Sequence, residues 1–292
     1  MATGGIVLAA GGLSLFLFRE TAPHRATYEL DTRLWFLELK LRGHLPHLPW
    51  RDVLRRTAWT PSHRYDVARA VDRGDAPCPV LWDTPLGRFW GTEQDGRELD
   101  LLSIEQAGGD IYQRRRVRVR KGDVVFDVGA HLGTFTRVAL RRGARHVVAF
   151  EPNPVNAACF RRTFAPEITT GRVRLVEAAV WHSPGVLAFE FGGSSQMGTV
   201  STSGRRQVQA VTLDQIVDEL RLERVDFIKM DIEGAERHAL AGARRLLAAD
   251  RPRLAVCIYH GPDDPDVIPQ SIRAANATYR SFTRGSFQAY FH

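Results

Sequence analysis

The chain has 292 residues, 44% apolar and 25% charged, a balance that excludes a disordered or fibrous protein and allows one large domain or a domain with an appendage. Net charge is +7 with a pI near 9.8, but the excess is spread along the chain and gives little weight to a nucleic-acid partner. Cys78, Cys159 and Cys257 are far apart with no CxxC pair, which argues against a disulfide scaffold or zinc ribbon and for a reducing, cytoplasmic setting.

Met1 to Phe18 carries no charge, and GIVLAAGGLSLFLF (5–18) is strongly apolar. About 20 apolar residues span a bilayer and about 17 can suffice. The run lacks the charged start of a secretory signal. Arg19, Arg25 and Arg33 behind it would leave the rest of the chain on the cytoplasmic face. Membrane association through residues 5–18 is one expectation; a buried or interfacial helix, or residues upstream of the true start, is the other. Residues 19–78 read as a helical appendage, with Leu30, Leu34, Leu37 and Leu41 on one face and no catalytic pattern. Residues 79–91 (PVLWDTPLGRFWG) read as a hairpin turning at Thr84-Pro85-Leu86-Gly87, opening a domain over 79–292. Arg114–Lys121 (RRRVRVRK) reads as a solvated strand edge protected by charge, in preference to a surface for acidic lipid or nucleic acid.

From Val124 the pattern changes. Val124-Val125-Phe126 is a buried strand, and helical spacing resumes at Phe135, Val138 and Ala139. Between them lies Asp127-Val128-Gly129-Ala130-His131-Leu132-Gly133. The glycines let a ligand approach the backbone, and the helix start offers N–H donors. The spacing Asp-x-Gly-x-x-x-Gly departs from the dinucleotide fingerprint. A carboxylate there suits a cationic ligand end, such as the methionine end of S-adenosylmethionine. A second strand, Val147–Phe150, ends in Glu151-Pro152, where an acid can accept hydrogen bonds from two ribose hydroxyls. Glu151 lies 24 residues after Asp127, near the roughly 20 expected of a nucleoside-binding βαβ unit. Further elements are a helix over 156–164, strands over 173–180, 226–230 and 254–259, a helix over 212–220 and another spanning Ala239 to Leu247. Two weaker strands, 278–283 and 287–292, close the chain. Alternating strands and helices predict an α/β fold, a doubly wound, mostly parallel, Rossmann-like sheet. Its ligands would sit at the carboxyl ends of strands, where Asp127, Glu151, Asp231 and His260 all fall.

The blocks FDVGAHLGTFT (126–136), FEPNP (150–154), VTLDQIV (211–217) and KMDIEGAE (229–236) resemble the FkbM-family methyltransferases, class I enzymes that use S-adenosylmethionine. The resemblance covers roughly residues 80–290, with the blocks in the family's order. It implies a seven-stranded sheet with an antiparallel last strand. Two departures stand out. His131 occupies a position where Asn is common, and the fifth strand ends Cys257-Ile258-Tyr259-His260 where relatives often have Glu-x-His.

The resemblance implies O-methylation of a sugar, glycolipid or natural-product hydroxyl, with a small-molecule or glycan acceptor. The cofactor-binding residues would be Asp127, Gly129, Ala130, His131, Gly133, Glu151, Pro152 and Glu177, the last near the adenine. A hydroxyl is a poor nucleophile while protonated, so a general base is useful. The candidates are Asp231, Glu233 and His260, the last attractive for an ordinary pKa near neutrality. Each has a plainer reading: Asp127 as a cap, Asp231 and Glu233 as surface ions paired with Lys229 or Arg237, His260 bonded to backbone, Glu236 favoured by the dipole of a helix start. No metal is expected, because Asp231, Glu233 and His260 lack diagnostic ligand spacing. The competing functions are an RNA methyltransferase and a non-catalytic nucleoside-binding module.

Overall fold

The computed structural model describes Trp50, Leu99, Leu102 and residues 68–96, 111–191, 198–200, 206–284 and 287–292. The expectations for residues 5–18 and for the leucine face of 30–41 lie outside the described residues. The chain divides into two compact units, Met1–Thr60 and Pro61–His292; among the described residues, every strand lies in the second. Among the same residues, no helix is long and apolar enough to cross a membrane.

The second unit begins with β1 (Arg69–Arg73), β2 (Val80–Thr84) and β3 (Gly87–Gly91), an antiparallel sheet in that order. The β2–β3 hairpin turns where the sequence predicts, with Thr84 paired to Gly87. β1 corrects the reading of 19–78 as helical, since Arg69–Arg73 pairs with β2. All five β1 residues are exposed, so no apolar face was there to mark it.

The βαβ elements follow. They are β4 (Val124–Val128), α1 (Thr134–Arg141), β5 (His146–Phe150), α2 (Pro154–Thr163), α3 (Ala165–Thr169) and β6 (Val173–Val176). Every β4 residue is buried, as for a strand covered on both faces. α2 starts where Asn153 caps the Val155 N–H and Pro154 takes the first helical position, a standard start signal. Cys78, just before β2, is joined to Cys159 in α2 by a disulfide, with Cα atoms 5.4 Å apart. This removes the ground for inferring a reducing setting from cysteine usage. The two residues are 81 apart in sequence, and only the packing of the hairpin on α2 brings them together.

The strand expected over 173–180 is two strands. β6 stays in the main sheet, and β7 (Ala179–Val180) joins β8 (Gly185–Phe191), β9 (Gly198–Val200) and β10 (Arg206–Val211) in a second sheet ordered β7-β10-β8-β9. The chain then returns through α4 (Leu213–Glu219), β11 (Phe227–Met230), α5 (Glu236–Ala241), α6 (Arg244–Ala249), β12 (Arg253–Cys257), α7 (Asp264–Ala275), β13 (Ser281–Arg284) and β14 (Gln288–Phe291). The helix expected from Ala239 to Leu247 is thus two, α5 and α6.

The main sheet has seven strands in the order β13-β14-β12-β11-β4-β5-β6. β12, β11, β4, β5 and β6 are parallel to one another, and β14 is antiparallel to β12. This is the doubly wound, Rossmann-like sheet that the sequence predicts, with the antiparallel last strand that the resemblance implies. Alternation along the strands divides the core. Val125, Val147, Phe227 and Ala255 face one cluster with Phe135, Phe160 and Phe164. Phe126, Val148, Ile228 and Val256 face the other with Leu213 and Leu247.

Candidate active site

β12, β11, β4 and β5 are consecutive in the sheet, so their carboxyl ends form one rim, with strands about 4.8 Å apart. That rim is where an open α/β sheet binds ligands. Its β4–β5 side is built by the glycine loop. The N–H groups of Gly129 and Ala130 donate to the Phe150 carbonyl at 3.1 and 2.9 Å, and the His131 N–H donates to Glu151 Oε2 at 2.8 Å. The loop is thereby fastened to the tip of β5. Gly129 has φ +82, and a Cβ there would lie 2.0 Å from the Asp231 carbonyl oxygen. Gly133 has φ +89, and its Cβ would lie 2.2 Å from the Phe164 ring. Both positions require glycine, for conformation and for space. His131 has φ +52, a left-handed conformation in which Asn and His are both enriched. His is therefore a residue that this conformation accommodates. Burial lowers its imidazole pKa to about 4, outweighing the opposing Asp95 charge, with Lys229 adding a smaller lowering.

Glu151 is buried. It accepts hydrogen bonds from the Asn153 N–H at 2.8 Å and Asn156 Nδ2 at 3.4 Å as well as from His131. Burial raises its pKa to about 7 in spite of those donors. Pro152 beside it is partly buried. Glu177, expected near the adenine, lies beyond β6 in a half-exposed ion pair with Arg161 at 2.9 Å.

Asp127 departs from expectation. Its side chain is 0% exposed and faces Lys229 across 3.3 Å, while Thr136 Oγ1 donates to its other oxygen at 2.7 Å. The two strands are in register with Lys229 opposite Asp127, flanked by Ala149 and Ala255. Burial raises the Asp127 pKa, with Lys229 and Thr136 opposing. The Lys229 ammonium also reaches the Gly129 carbonyl. The carboxylate read as meeting a ligand's cationic end is therefore engaged inside the protein by an internal cation, which pins the glycine loop. Likewise Lys229 is a buried partner of Asp127 and no surface ion, and Arg237 pairs with Asp263 and Asp264.

The β11–β12 side of the rim gathers the expected catalytic residues. Asp231 follows β11, and its Oδ2 accepts from the Tyr112 hydroxyl at 2.5 Å. Burial works against its ionisation, but Lys229, His260 and Tyr112 together hold its pKa below the ordinary value. Glu236 is buried and accepts the Ile232 and Gly234 N–H groups at 2.9 and 3.0 Å, so it fixes the turn leaving β11. His260 Nδ1 lies 2.9 Å from Glu236 Oε1, and Nε2 lies 3.6 Å from both Asp231 Oδ1 and Glu233 Oε2. Burial alone would lower the His260 pKa, but Glu236, Glu233 and Asp231 outweigh it and push it up to about 10. The convergence of acids thus moves His260 away from the near-neutral value that made it attractive as a base. Glu233, with φ +55 and a side chain 33% exposed, is the most open of these carboxylates. Burial, with Asp231 and Glu236, raises its pKa to about 7 against the opposing His260 charge.

Tyr112 and Lys229 escaped the sequence reading as site residues. Lys229 had a signal, a lone cation in the apolar strand Phe227–Met230. Tyr112 had none, because its partner is 119 residues away.

The family model described as "Methyltransferase FkbM domain" matches residues 127–281, more than half of the chain. The chain belongs to the FkbM methyltransferase family. This FkbM-family chain is 28% identical over 160 residues to the hexuronic acid methyltransferase AglP of Haloferax volcanii, covering 54% of this chain and 65% of AglP. It is 29% identical over 178 residues to the 31-O-demethyl-FK506 methyltransferase FkbM of Streptomyces tacrolimicus, covering 49% and 66%. It is 30% identical over 149 residues to the 2-O-methyltransferase NoeI of Sinorhizobium fredii, covering 44% and 60%. The chain therefore spans less than two thirds of each relative's length. Among solved structures, a methyltransferase FkbM from Methylobacillus flagellatus is 19% identical with a TM-score of 0.48, covering 69% of this chain and 56% of that one.

Proposed function

We propose that this FkbM-family chain transfers a methyl group from S-adenosylmethionine to a hydroxyl of a sugar or natural-product small molecule. The observation that carries the reading is the union of a glycine loop with the buried Glu151 carboxylate, on the same sheet rim as Asp231, Glu233 and His260. When bound, S-adenosylmethionine supplies an electrophilic methyl carbon on a sulfonium.

The donor set fits that cofactor. Glu151 keeps acceptor capacity beyond the three donors it serves, as a carboxylate has about four lone-pair sites, which suits a ribose diol. α1 has no side-chain cap and no acid in its first turn, which suits an anionic group at its start. With Asp127 engaged by Lys229, recognition falls to Glu151 and the loop backbone.

Toward the acceptor, Glu233 is the carboxylate placed to take the hydroxyl proton. Asp231, fixed by Tyr112, orients the acceptor, and the positive His260 holds the carboxylates at one place. Two relatives carry an O-methyl position in their names, and a third acts on a hexuronic acid, which supports a hydroxyl acceptor. The test is transfer of a tritiated methyl from S-adenosylmethionine by the full chain to a panel of uronic-acid glycosides, neutral glycosides and hydroxylated polyketides. Label on at least one class supports the reading. S-Adenosylmethionine binding with no transfer to any class would favour a non-catalytic binding module.

A further inference from the structure

We infer that Asp231, Glu236 and His260 form a binding site for one divalent cation at the ends of β11 and β12. Spacing in sequence gave no reason to expect one. In space, each of the three offers a ligand atom, and these atoms lie within 4.8 Å of one another. No other such group of His, Cys, Asp and Glu occurs among the described residues.

A cluster of acids is by itself ordinary; the imidazole within it is not. His260 has a side chain only 8% exposed, and neither of its ring nitrogens makes a hydrogen bond. Asp231 Oδ1, also buried, makes none either. Its Nδ1 faces Glu236 Oε1 at 2.9 Å and its Nε2 faces Asp231 Oδ1 and Glu233 Oε2 at 3.6 Å, none of them in line for a hydrogen bond. Three carboxylates, Asp231, Glu233 and Glu236, face this one ring. A doubly charged ion balances them better than a single proton does.

The distances are within reach of an ion. Ligand atoms about 2.1 Å from a metal stand roughly 3.0–3.4 Å apart in octahedral or tetrahedral arrangements. One ligand atom from each residue lies within 4.8 Å of the others here, so modest side-chain movement closes them onto an ion. The ligands are also held from behind, as metal ligands generally are. Tyr112 grips Asp231 Oδ2, the Ile232 and Gly234 N–H groups grip Glu236, and the Tyr290 hydroxyl holds the Ile111 carbonyl next to Tyr112. Two carboxylates with one imidazole suit Mn²⁺ among the common divalent ions. The ligating nitrogen sheds its proton to solvent when the ion binds. On the proposed function, and only there, the ion has a further role. It lowers the pKa of the acceptor hydroxyl, leaving Glu233 to take the proton.

The experiment titrates Mn²⁺ into the full chain after chelator stripping, reading free Mn²⁺ by electron paramagnetic resonance with neither S-adenosylmethionine nor acceptor present. The expected result is one saturable Mn²⁺ per chain, weakened at least about tenfold in Asp231→Asn and His260→Gln, as metal-site lesions commonly do. Glu190→Gln, at an exposed acid on β8, should leave it unchanged. Thermal melts check that the variants fold; should either fail, Tyr112→Phe, which removes one hydroxyl, should weaken binding in the same direction. No saturable binding, or binding indifferent to these variants, overturns the inference and leaves an ion-pair cluster only. A chain that binds Mn²⁺ but not S-adenosylmethionine overturns the proposed function and not this site; the reverse overturns this site alone.

Discussion

Replacing Lys229 by Met tests the claim that an internal ion pair anchors the glycine loop. Lys229 and Asp127 are 6% and 0% exposed, with Nζ and Oδ1 3.3 Å apart. Met keeps the length and apolar stem, so little cavity forms, and the change acts mainly by leaving the Asp127 carboxylate buried without its cation. Breaking one side of a buried pair costs about 3–5 kcal/mol. For a unit of this size each kcal/mol moves Tm by about 2–4 °C, so the expected fall is about 6–20 °C. The sign with pH follows from Asp127. Burial already raises its folded pKa against the opposition of Lys229. Without Lys229 that opposition is gone, and the folded state loses stability as pH rises through the elevated pKa. Lys229→Met should therefore be less destabilising at pH 5 than at pH 8. The double variant Asp127→Asn/Lys229→Met, which removes the stranded charge, should recover a large part of the loss. The assay is guanidinium unfolding at both pH values, followed by fluorescence and circular dichroism. A loss at pH 8 below about 1 kcal/mol, the level of an exposed ion pair, or a double variant no more stable than the single, would refute the reasoning.

Gly129→Ala forces a Cβ to 2.0 Å from the Asp231 carbonyl at φ +82; we expect a loss above about 1 kcal/mol in thermal melts and weaker S-adenosylmethionine binding. With the Glu151 pKa near 7 and the ionised form the better acceptor, affinity for S-adenosylmethionine should rise up to about tenfold from pH 6 to pH 8. Calorimetry should find that dependence flattened in Glu151→Gln. Glu233→Gln should lower kcat by at least about 10²-fold with cofactor affinity nearly intact, and unchanged turnover would remove Glu233 as the base.

Much of the fold was legible because its central strands are mostly apolar and are followed by glycine or acid. Val124–Val128, Val147–Phe150 and Phe227–Met230 announce themselves in this way, and their alternation with helices implies the parallel sheet. α7 was missed; it carries Pro265 in its first turn and Pro269 inside it, and an interior proline is a poor helix signal. The β7–β10 sheet was missed because β7 and β9 have only two and three residues, and the longer β8 and β10 are mostly exposed or half-buried. The site divides along the same line. Glu151, Asp231, Glu233 and His260 are legible as strand ends. What they do depends on partners remote in sequence. Asp127 meets Lys229 only through strand register, Asp231 meets Tyr112 only through tertiary packing, and His260 leaves its near-neutral range only because three carboxylates converge on it.

The most direct measurement is calorimetric titration of the full chain with S-adenosylmethionine and, separately, with a nicotinamide dinucleotide, repeated on Glu151→Ala. The account requires one saturable site for S-adenosylmethionine, no heat from the dinucleotide, and affinity at least about tenfold weaker once the carboxylate is gone. Heat from the dinucleotide alone, or S-adenosylmethionine binding indifferent to Glu151, would contradict it.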